Sequence, residues 1–298
     1  MERLRRVASL WGWLPAFRAV AETQHLPTAS AQLQVSASAL SRTIRLLESD
    51  LGMPLFERQG RRIVLNEAGE RLLVAVRDAM RRVHDGMSLM ESTTLHGPVQ
   101  LASANLITDT VLARTLQLLR ADHPQLIPHV REAKDDALCG ALLQGQLDVG
   151  FTTAPLSDPN LSRVFVGEIP GSVYARPEHP ATLPGAAEKG LHEHAFVLWG
   201  LRADGSTSDG WPSAVPRAVG AVVHQPHMAI SMAIQTASLV VLPDTVAKAS
   251  VEAGALVPIT SDVVQPVPVY AHHRHSLLPY GRAETVVELA RSAVARGL

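Results

Sequence analysis

Residues 36–58 read SASALSRTIRLLESDLGMPLFER, and this stretch decides the architecture of the amino-terminal part of the chain. Ser36 is a good helix N-cap, because its hydroxyl can accept a hydrogen bond from an unpaired N–H of the first turn. From there Leu40, Ile44 and Leu47 recur at helical spacing and seek a core, while Ala37, Ser38, Ser41, Arg42 and Arg45 share the opposite side. Gly52 suits the helix C-terminus, and Pro54 bars continuation. Leu55-Phe56 and Ile63-Val64-Leu65 then read as two short strands around a turn at Gly60, a wing carrying Arg58, Arg61 and Arg62.

Working upstream, Trp13, Leu14, Phe17 and Val20 line one face of a helix that ends before His25. Pro27 fits the start of a short second helix containing Thr28-Ala29-Ser30-Ala31-Gln32-Leu33, whose small residues let a neighbour approach, and Gln34-Val35 make a tight connection. Taken alone, the 36–48 helix reads better as an ordinary amphipathic helix with a solvated Ser/Arg face. Its place after a helix and a tight turn, and before a basic wing, favours a recognition helix. Small polar residues near the N-terminus reach base edges in the major groove, and guanidinium forks reach guanine or phosphate. The wing arginines reach phosphates or the minor groove.

Charge agrees with this reading. Residues 1–65 carry nine arginines against five carboxylates, a net of +4, which leaves −5 for the remainder of a chain whose total is −1. A basic head on an acidic body places a polyanion at the head. The 298 residues suffice for two or three domains, and 46% hydrophobic with 18% charged residues is the composition of a soluble globular protein. No apolar run approaches the roughly 18 residues of a membrane span, so no membrane partner is expected. The opening MERLRRVASLWGWL is too short and too broken by Arg and Gly for a secretory leader. Cys139 is the single cysteine, which excludes an internal disulfide and fits the cytoplasm.

Asn66 can cap a long helix with Glu67 and Glu70 in its first turn, where carboxylates oppose the positive end of the dipole. Leu72, Val76, Met80, Val83, Met87 and Met90 form a narrow apolar seam suited to a second copy, and Gly97-Pro98 is expected to end the helix. Beyond it, Val99–Ala102, residues 126–131, Leu147–Phe151, Ala195–Trp199, Ala221–His224, Leu239–Pro243 and Val267–His272 read as strands alternating with helices, so a parallel sheet is expected. The expected organisation is α/β overall: a winged helix-turn-helix over 1–65, a linker helix over 66–96 that dimerises, and a domain over 97–298. Its lobe I comprises 97–166 and 267–298, and its lobe II 167–266. In open α/β sheets ligands bind beyond the carboxyl ends of the strands. That rule selects Ser103, Asn105, Lys134, Asp135, Thr152, Thr153, Trp199, Leu201 and His224.

The ordered motifs AFRAVAE (16–22), SASALSRTIRLLE (36–48), LGMPLFER (51–58), GRR (60–62) and LNEAGE (65–70) closely resemble the DNA-binding domain of LysR-type transcriptional regulators, and the remainder resembles the same family more loosely. The resemblance implies that Ser38, Ser41 and Arg42 lie in the major groove, Arg58 on a phosphate, and Arg61 and Arg62 in the wing. It also implies a periplasmic-binding-protein-like two-lobed domain taking a small, often carboxylated, effector. Homodimers or homotetramers on an interrupted inverted repeat of double-stranded DNA are implied as well. Ala37 stands where family members often have Gln, His25 where they often have Ser, and Thr236-Ala237-Ser238 where they often have glycines.

Other signals are weaker. Adjacent histidines in His272-His273-Arg274-His275 point to opposite faces of a strand and lack a spaced partner set, so no metal is expected. Cys139, inside Ala137-Leu138-Cys139-Gly140-Ala141-Leu142, reads as a small buried hydrophobe. There is no phosphate loop and no nucleophile elbow, so neither a cofactor nor catalysis is expected. The competing reading is a solute-binding or catalytic α/β domain with a vestigial head.

Overall fold

Phe17, Val20, Leu40, Leu47 and Leu55 are almost wholly buried and form the centre of the first of two units, residues 1–91 and 92–298, into which the chain divides. The structure is a computed structural model describing residues 2–59, 62–91, 95–103, 105–133, 135–183, 190–201, 205–275 and 281–297. In the first unit α1 (Glu2–Trp11), α2 (Leu14–Thr23), α3 (Leu26–Leu33) and α4 (Ala37–Leu51) precede a hairpin of β1 (Phe56–Gln59) and β2 (Arg62–Leu65), and α5 (Glu67–Glu91) follows. Ser36 Oγ accepts the Ala39 N–H at 3.1 Å, the cap expected of it. The other end of α4 closes at Gly52 in the left-handed region (φ 73°), its N–H donating to the Glu48 carbonyl. Strands β1 and β2 pair antiparallel from Phe56↔Leu65 to Gln59↔Arg62.

The linker helix starts as expected, with Asn66 Oδ1 accepting the Gly69 N–H at 2.9 Å. Its seam is divided. Leu73 and Val76 are buried in the head's own core, with Leu72 and Met80 packed against it, whereas Val83 and Met87 are 45% and 52% exposed. The first half of the expected inter-subunit seam is therefore an intramolecular contact. The ion pair of Arg77 with Glu22 at 2.8 Å fastens α5 to α2, and Arg18, on α2 itself, shares Glu22 at 3.1 Å. The described part of the helix reaches Glu91, Leu95 and His96 are not helical, and Gly97-Pro98 open a strand. Leu65 and Leu55 sit so close to the first turn of α5 that a Cβ on Gly69 would overlap the Leu55 carbonyl oxygen.

The second unit begins with β3 (Gly97–Ser103), then α6 (Asn105–Ile107) continues through a π-helical turn, Thr108–Leu112, into α7 (Ala113–Asp122). β4 (Leu126–Glu132), α8 (Asp135–Leu143), β5 (Val149–Thr152) and β6 (Leu161–Ile169) complete the first pass. After Pro170 come β7 (Gly171–Ala175), β8 (Ala195–Leu198), β9 (Ala218–Val222), α9 (Pro226–Thr236), β10 (Leu239–Pro243), α10 (Asp244–Glu252) and β11 (Val257–Ile259). The chain returns with β12 (Val267–Arg274) and ends in α11 (Arg282–Ala295). Two five-stranded sheets result, ordered β4-β3-β5-β12-β6 and β11-β7-β10-β8-β9.

Neither sheet is all-parallel, which corrects the expectation. β3 runs parallel to β4 and β5, and β8 to β9 and β10, but β12 is antiparallel to β5 and β6, and β7 to β10 and β11. Alternation predicts parallel pairing only where a helix carries the chain back across the sheet. No helix joins β5 to β6 among the described residues, and β6 and β12 are the strands by which the chain leaves and re-enters the first sheet. β6 continues past the expected lobe boundary at 166 to Ile169, and β9 lies at Ala218–Val222, so His224 falls in the loop before α9. Ala237 closes α9 in the left-handed region (φ 51°), a conformation that glycine would take without steric strain.

His272 is fully buried in β12. Its Nε2 accepts the Leu156 N–H at 3.4 Å and lies 3.0 Å from the Thr152 hydroxyl. Burial first, and then the nearby positive charges of Arg163 and His273, push its pKa down to about 4. The unfolded chain takes up this proton near pH 6.5 and the folded chain does so only near pH 4, so acidification across that window favours unfolding. Two outcomes are expected. Denaturant unfolding of the full chain should lose up to about 3 kcal/mol between pH 6.5 and 4 through this group, and His272→Asn should flatten that slope; equal slopes refute the assignment. Gly69→Ala should destabilise the head by about 1–3 kcal/mol, against the gain of up to about 1 kcal/mol that alanine brings at an open helix site. A variant as stable as the wild type in urea contradicts the packing described.

Candidate nucleic-acid interface and small-molecule site

The outer side of α4 is the first candidate surface. Leu40, Ile44 and Leu47 are 1%, 8% and 0% exposed, which turns Ala37, Ser38, Arg42 and Arg45 to solvent. Arg42 makes no hydrogen bond or ion pair with another described residue, so its planar five-donor fork is available. Arg45 lies back along the helix, Nε donating to the Ser41 carbonyl at 3.4 Å. Ser41 is half-buried at the edge of a cavity of about 380 Å³ between α4 and the wing, bordered by Ile44, Phe56 and Ile63. Ser36 is committed to capping and lies 3.0 Å from the Ser38 hydroxyl. Thr28 is exposed on α3, its hydroxyl 2.8 Å from His25 Nδ1.

Two side chains, one accepting and one donating, hold the wing beside this helix. Glu48 Oε1 receives the N–H groups of Leu55 and Phe56 at 2.8 and 3.3 Å, and Asn66 Nδ2 donates to the Pro54 carbonyl at 2.9 Å. Phe56 adds an edge against Phe17, ring centroids 5.6 Å apart. Arg58 and Arg62 are placed on β1 and β2 by their backbones alone, and Arg61 lies outside the described residues. Signals at Glu48 and Asn66 were present in the sequence only as ordinary helix and cap residues, since the partner backbone is brought near by the fold.

The second candidate site is the junction of the two sheets. Leu106, Ile107 and Val111 of the first lobe share one apolar core with Trp199, Val223 and Leu242 of the second, and α10 packs against the π-helical turn. Ser103, Glu132 and Thr152 end β3, β4 and β5 there, while Leu198, Val222 and Pro243 end β8, β9 and β10. Helices α6, α8, α9 and α10 begin within a few residues of these ends, so their N–H groups are suited to an anion.

The individual residues expected at this site fare unequally. Ser103 is fully buried, its hydroxyl 2.6 Å from that of Thr108, and Thr152 is fully buried between the Ala154 carbonyl (2.5 Å) and His272. Trp199 is 1% exposed and its indole N–H donates to the Val241 carbonyl at 2.6 Å, so it is a core residue of the second lobe and not an open contact. Leu201 is 46% exposed and pairs with Thr207, His224 is exposed, and Thr153 is half-buried. Asn105 and Asp135 are placed only as the first residues of α6 and α8, and Lys134 lies outside the described residues.

Sequence reasoning passed over Asp109 and His227. Asp109 lies in the π-helical turn, and burial raises its carboxyl pKa while the charge of His227, at the start of α9, partly opposes that rise. The two lie within electrostatic reach of each other, one in each lobe. A π-turn inside a helix leaves no periodic signature in composition, although such turns recur at functional sites. His272, His273 and His275 bond separately to Leu156, the Arg274 carbonyl and Ser162, and no group of ligands suited to a metal ion occurs among the described residues. No described helix is long and apolar enough to cross a membrane.

Two family models match this chain. Residues 11–70 match the bacterial regulatory helix-turn-helix protein model of the lysR family, and residues 92–295 match the LysR substrate binding domain. A probable hydrogen peroxide-inducible genes activator of Streptomyces viridosporus is 33% identical over 165 residues, 54% of this chain and 52% of that one, so the match spans about half of that relative. Among solved structures, ArgP from Mycobacterium tuberculosis has a TM-score of 0.69 at 20% identity, covering 96% of this chain and 97% of that one. Full-length LysG from Corynebacterium glutamicum, with bound effector Arg, has a TM-score of 0.65 at 17% identity, covering 96% and 98%. At these identities the structural likeness establishes the fold, whereas the two models together account for most of the sequence. The chain belongs to the LysR family.

Proposed function

We propose that this protein is a sequence-specific transcription regulator that binds double-stranded DNA through α4 and the wing, and whose DNA binding is modulated by a small molecule held between the two lobes. The observation that carries this reading is the one-sided burial of α4, which leaves Ala37, Ser38 and the unpaired Arg42 on one open face. Arg58, Arg61 and Arg62 of the wing add phosphate contacts. Membership of a family of bacterial regulators supports a cytoplasmic, non-catalytic role.

A homodimer joined through α5 gives two heads for the two halves of an interrupted inverted repeat, and pairing of dimers gives a tetramer. Val83 and Met87, exposed on the second half of α5, are the residues that support such an interface. The effector is a small carboxylated metabolite at the strand ends, met by Ser103, Asn105, Thr152, Thr153, Leu201 and His224, of which Ser103 and Asn105 stand at the start of α6 and His224 just before α9. Its binding shifts the population of lobe arrangements and so the spacing of the paired heads. Cys139 is the only cysteine in the chain, so peroxide sensing through an intrachain disulfide is not part of this proposal.

Anisotropy measurements with the DNA upstream of the protein's own gene should show Arg42→Ala weakening specific binding roughly 10- to 100-fold without loss of thermal stability. Unchanged affinity refutes the role of α4. Sedimentation should show Met87→Glu moving the wild-type oligomer toward monomer at micromolar concentration; an unaltered mass places the interface elsewhere.

A further inference from the structure

The excursion between β8 and β9 is closed by a buried ion pair with no part in the fold's sheets. Arg217 Nη1 lies 2.8 Å from Asp209 Oδ2, with the two side chains 8% and 1% exposed. Arg217 Nη2 donates to Thr207 Oγ1 at 2.6 Å, and Thr207 in turn donates to Asp209 Oδ1 at 2.6 Å, which also receives the Trp211 N–H at 3.1 Å. The guanidinium sits over the rings of Trp211 (5.3 Å) and Phe196 (5.6 Å), and the Trp211 indole N–H donates to the Val215 carbonyl at 2.8 Å. Burying two charges costs several kcal/mol, about what apolar packing would avoid, so such a pair is weak evidence for stability and better evidence for fixed geometry.

What the geometry fixes is visible on either side of Asp209. On one side, the Ser208 N–H and hydroxyl both bond to the Gly200 carbonyl (3.3 and 3.2 Å), and Thr207 pairs with Leu201, which ties the excursion to the end of β8. On the other side, the Gly210 carbonyl receives the Gln265 N–H at 2.8 Å. Gly210 has φ 88°, and a Cβ there would overlap the Gln265 carbonyl oxygen, so only glycine permits the approach. Gln265 lies in the passage between β11 and β12, one of the two by which the chain moves between sheets.

We infer that Arg217 and Asp209 are positioning residues that make the β8 end, with Leu201, and the inter-lobe passage at Gln265 a single body, so that an occupant at the sheet junction acts directly on the passage. The inference rests on reading that junction as the effector site, but the coupling itself is measurable without any effector. Hydrogen exchange on the full chain should show Arg217→Met accelerating the amides of Ser208, Trp211 and Gln265 together by about tenfold or more, while β7 amides are unchanged. Arg217→Lys, which keeps the charge without the fork, should recover part of that protection. Thr207→Val, a milder change that removes one hydroxyl, should give the same pattern at smaller amplitude and serves if Arg217→Met fails to fold. Faster exchange at Ser208 and Trp211 with Gln265 unaffected would reduce the knot to a local staple and overturn the inference, as would no change at all. Failure of the effector reading would show separately, as the absence of any protecting metabolite in a thermal-shift screen of the wild type.

Discussion

The surface proposed to meet DNA depends on which side of α4 is dry. Leu40, Ile44 and Leu47 pack among Phe17, Val20, Leu55, Leu73 and Val76, and each such burial is worth about 1.5–3 kcal/mol. Rotating α4 by one residue would expose that stripe and force Arg42 toward the interior without a partner, a second and larger penalty. The head's core therefore aims the helix. Glu48 extends the same constraint to the wing, because its carboxylate holds the two N–H groups where the hairpin begins, and Asn66 pins the segment on Pro54 at the other edge. Helix, wing and the first half of α5 thus share one set of contacts, and a change at any of them is felt at the side chains proposed to meet DNA.

In the second unit the polar groups at the strand ends are satisfied by one another. Ser103 pairs with Thr108, Thr152 with His272 and the Ala154 carbonyl, Trp199 with Val241, and Tyr174 with Asp244. Under the proposed function an incoming ligand exchanges the hydroxyl bonds of Ser103 and Thr152 or uses the nearby helix N-termini, which keeps the cost of ordering low, whereas the Trp199 bond belongs to the core of its own lobe. Asp109 of the first lobe and His227 of the second are close enough to interact electrostatically, and the two lobes share one apolar core. That layout suits a domain that binds and rearranges.

Much of the head is legible in the sequence. Ser36 and Gly52 mark the ends of α4 because caps are local chemistry, and the 3.6-residue rhythm of Leu40, Ile44 and Leu47 marks its inner face. The α5 seam was legible as a stripe but not in its partner, since Leu72 and Val76 look the same whether covered by the head's own core or by a second chain. Strand direction failed in the second unit because β6 and β12 connect lobes rather than crossing over a helix, a property of the tertiary path. Trp199 shows the limit of choosing site residues by strand-end position, since a side chain at a strand end can equally point into its own lobe. The Asp209–Arg217 pair escaped notice because nothing in a polar loop sequence announces that it will be buried.

The central claim is that α4 enters the major groove at each of two half-sites. Methylation interference tests it most directly, because N7-methylguanine alters only the major-groove edge. The account predicts that methylation blocks binding within two symmetry-related clusters about one helical turn apart or a multiple of it. Binding indifferent to N7 methylation throughout the protected DNA would contradict it.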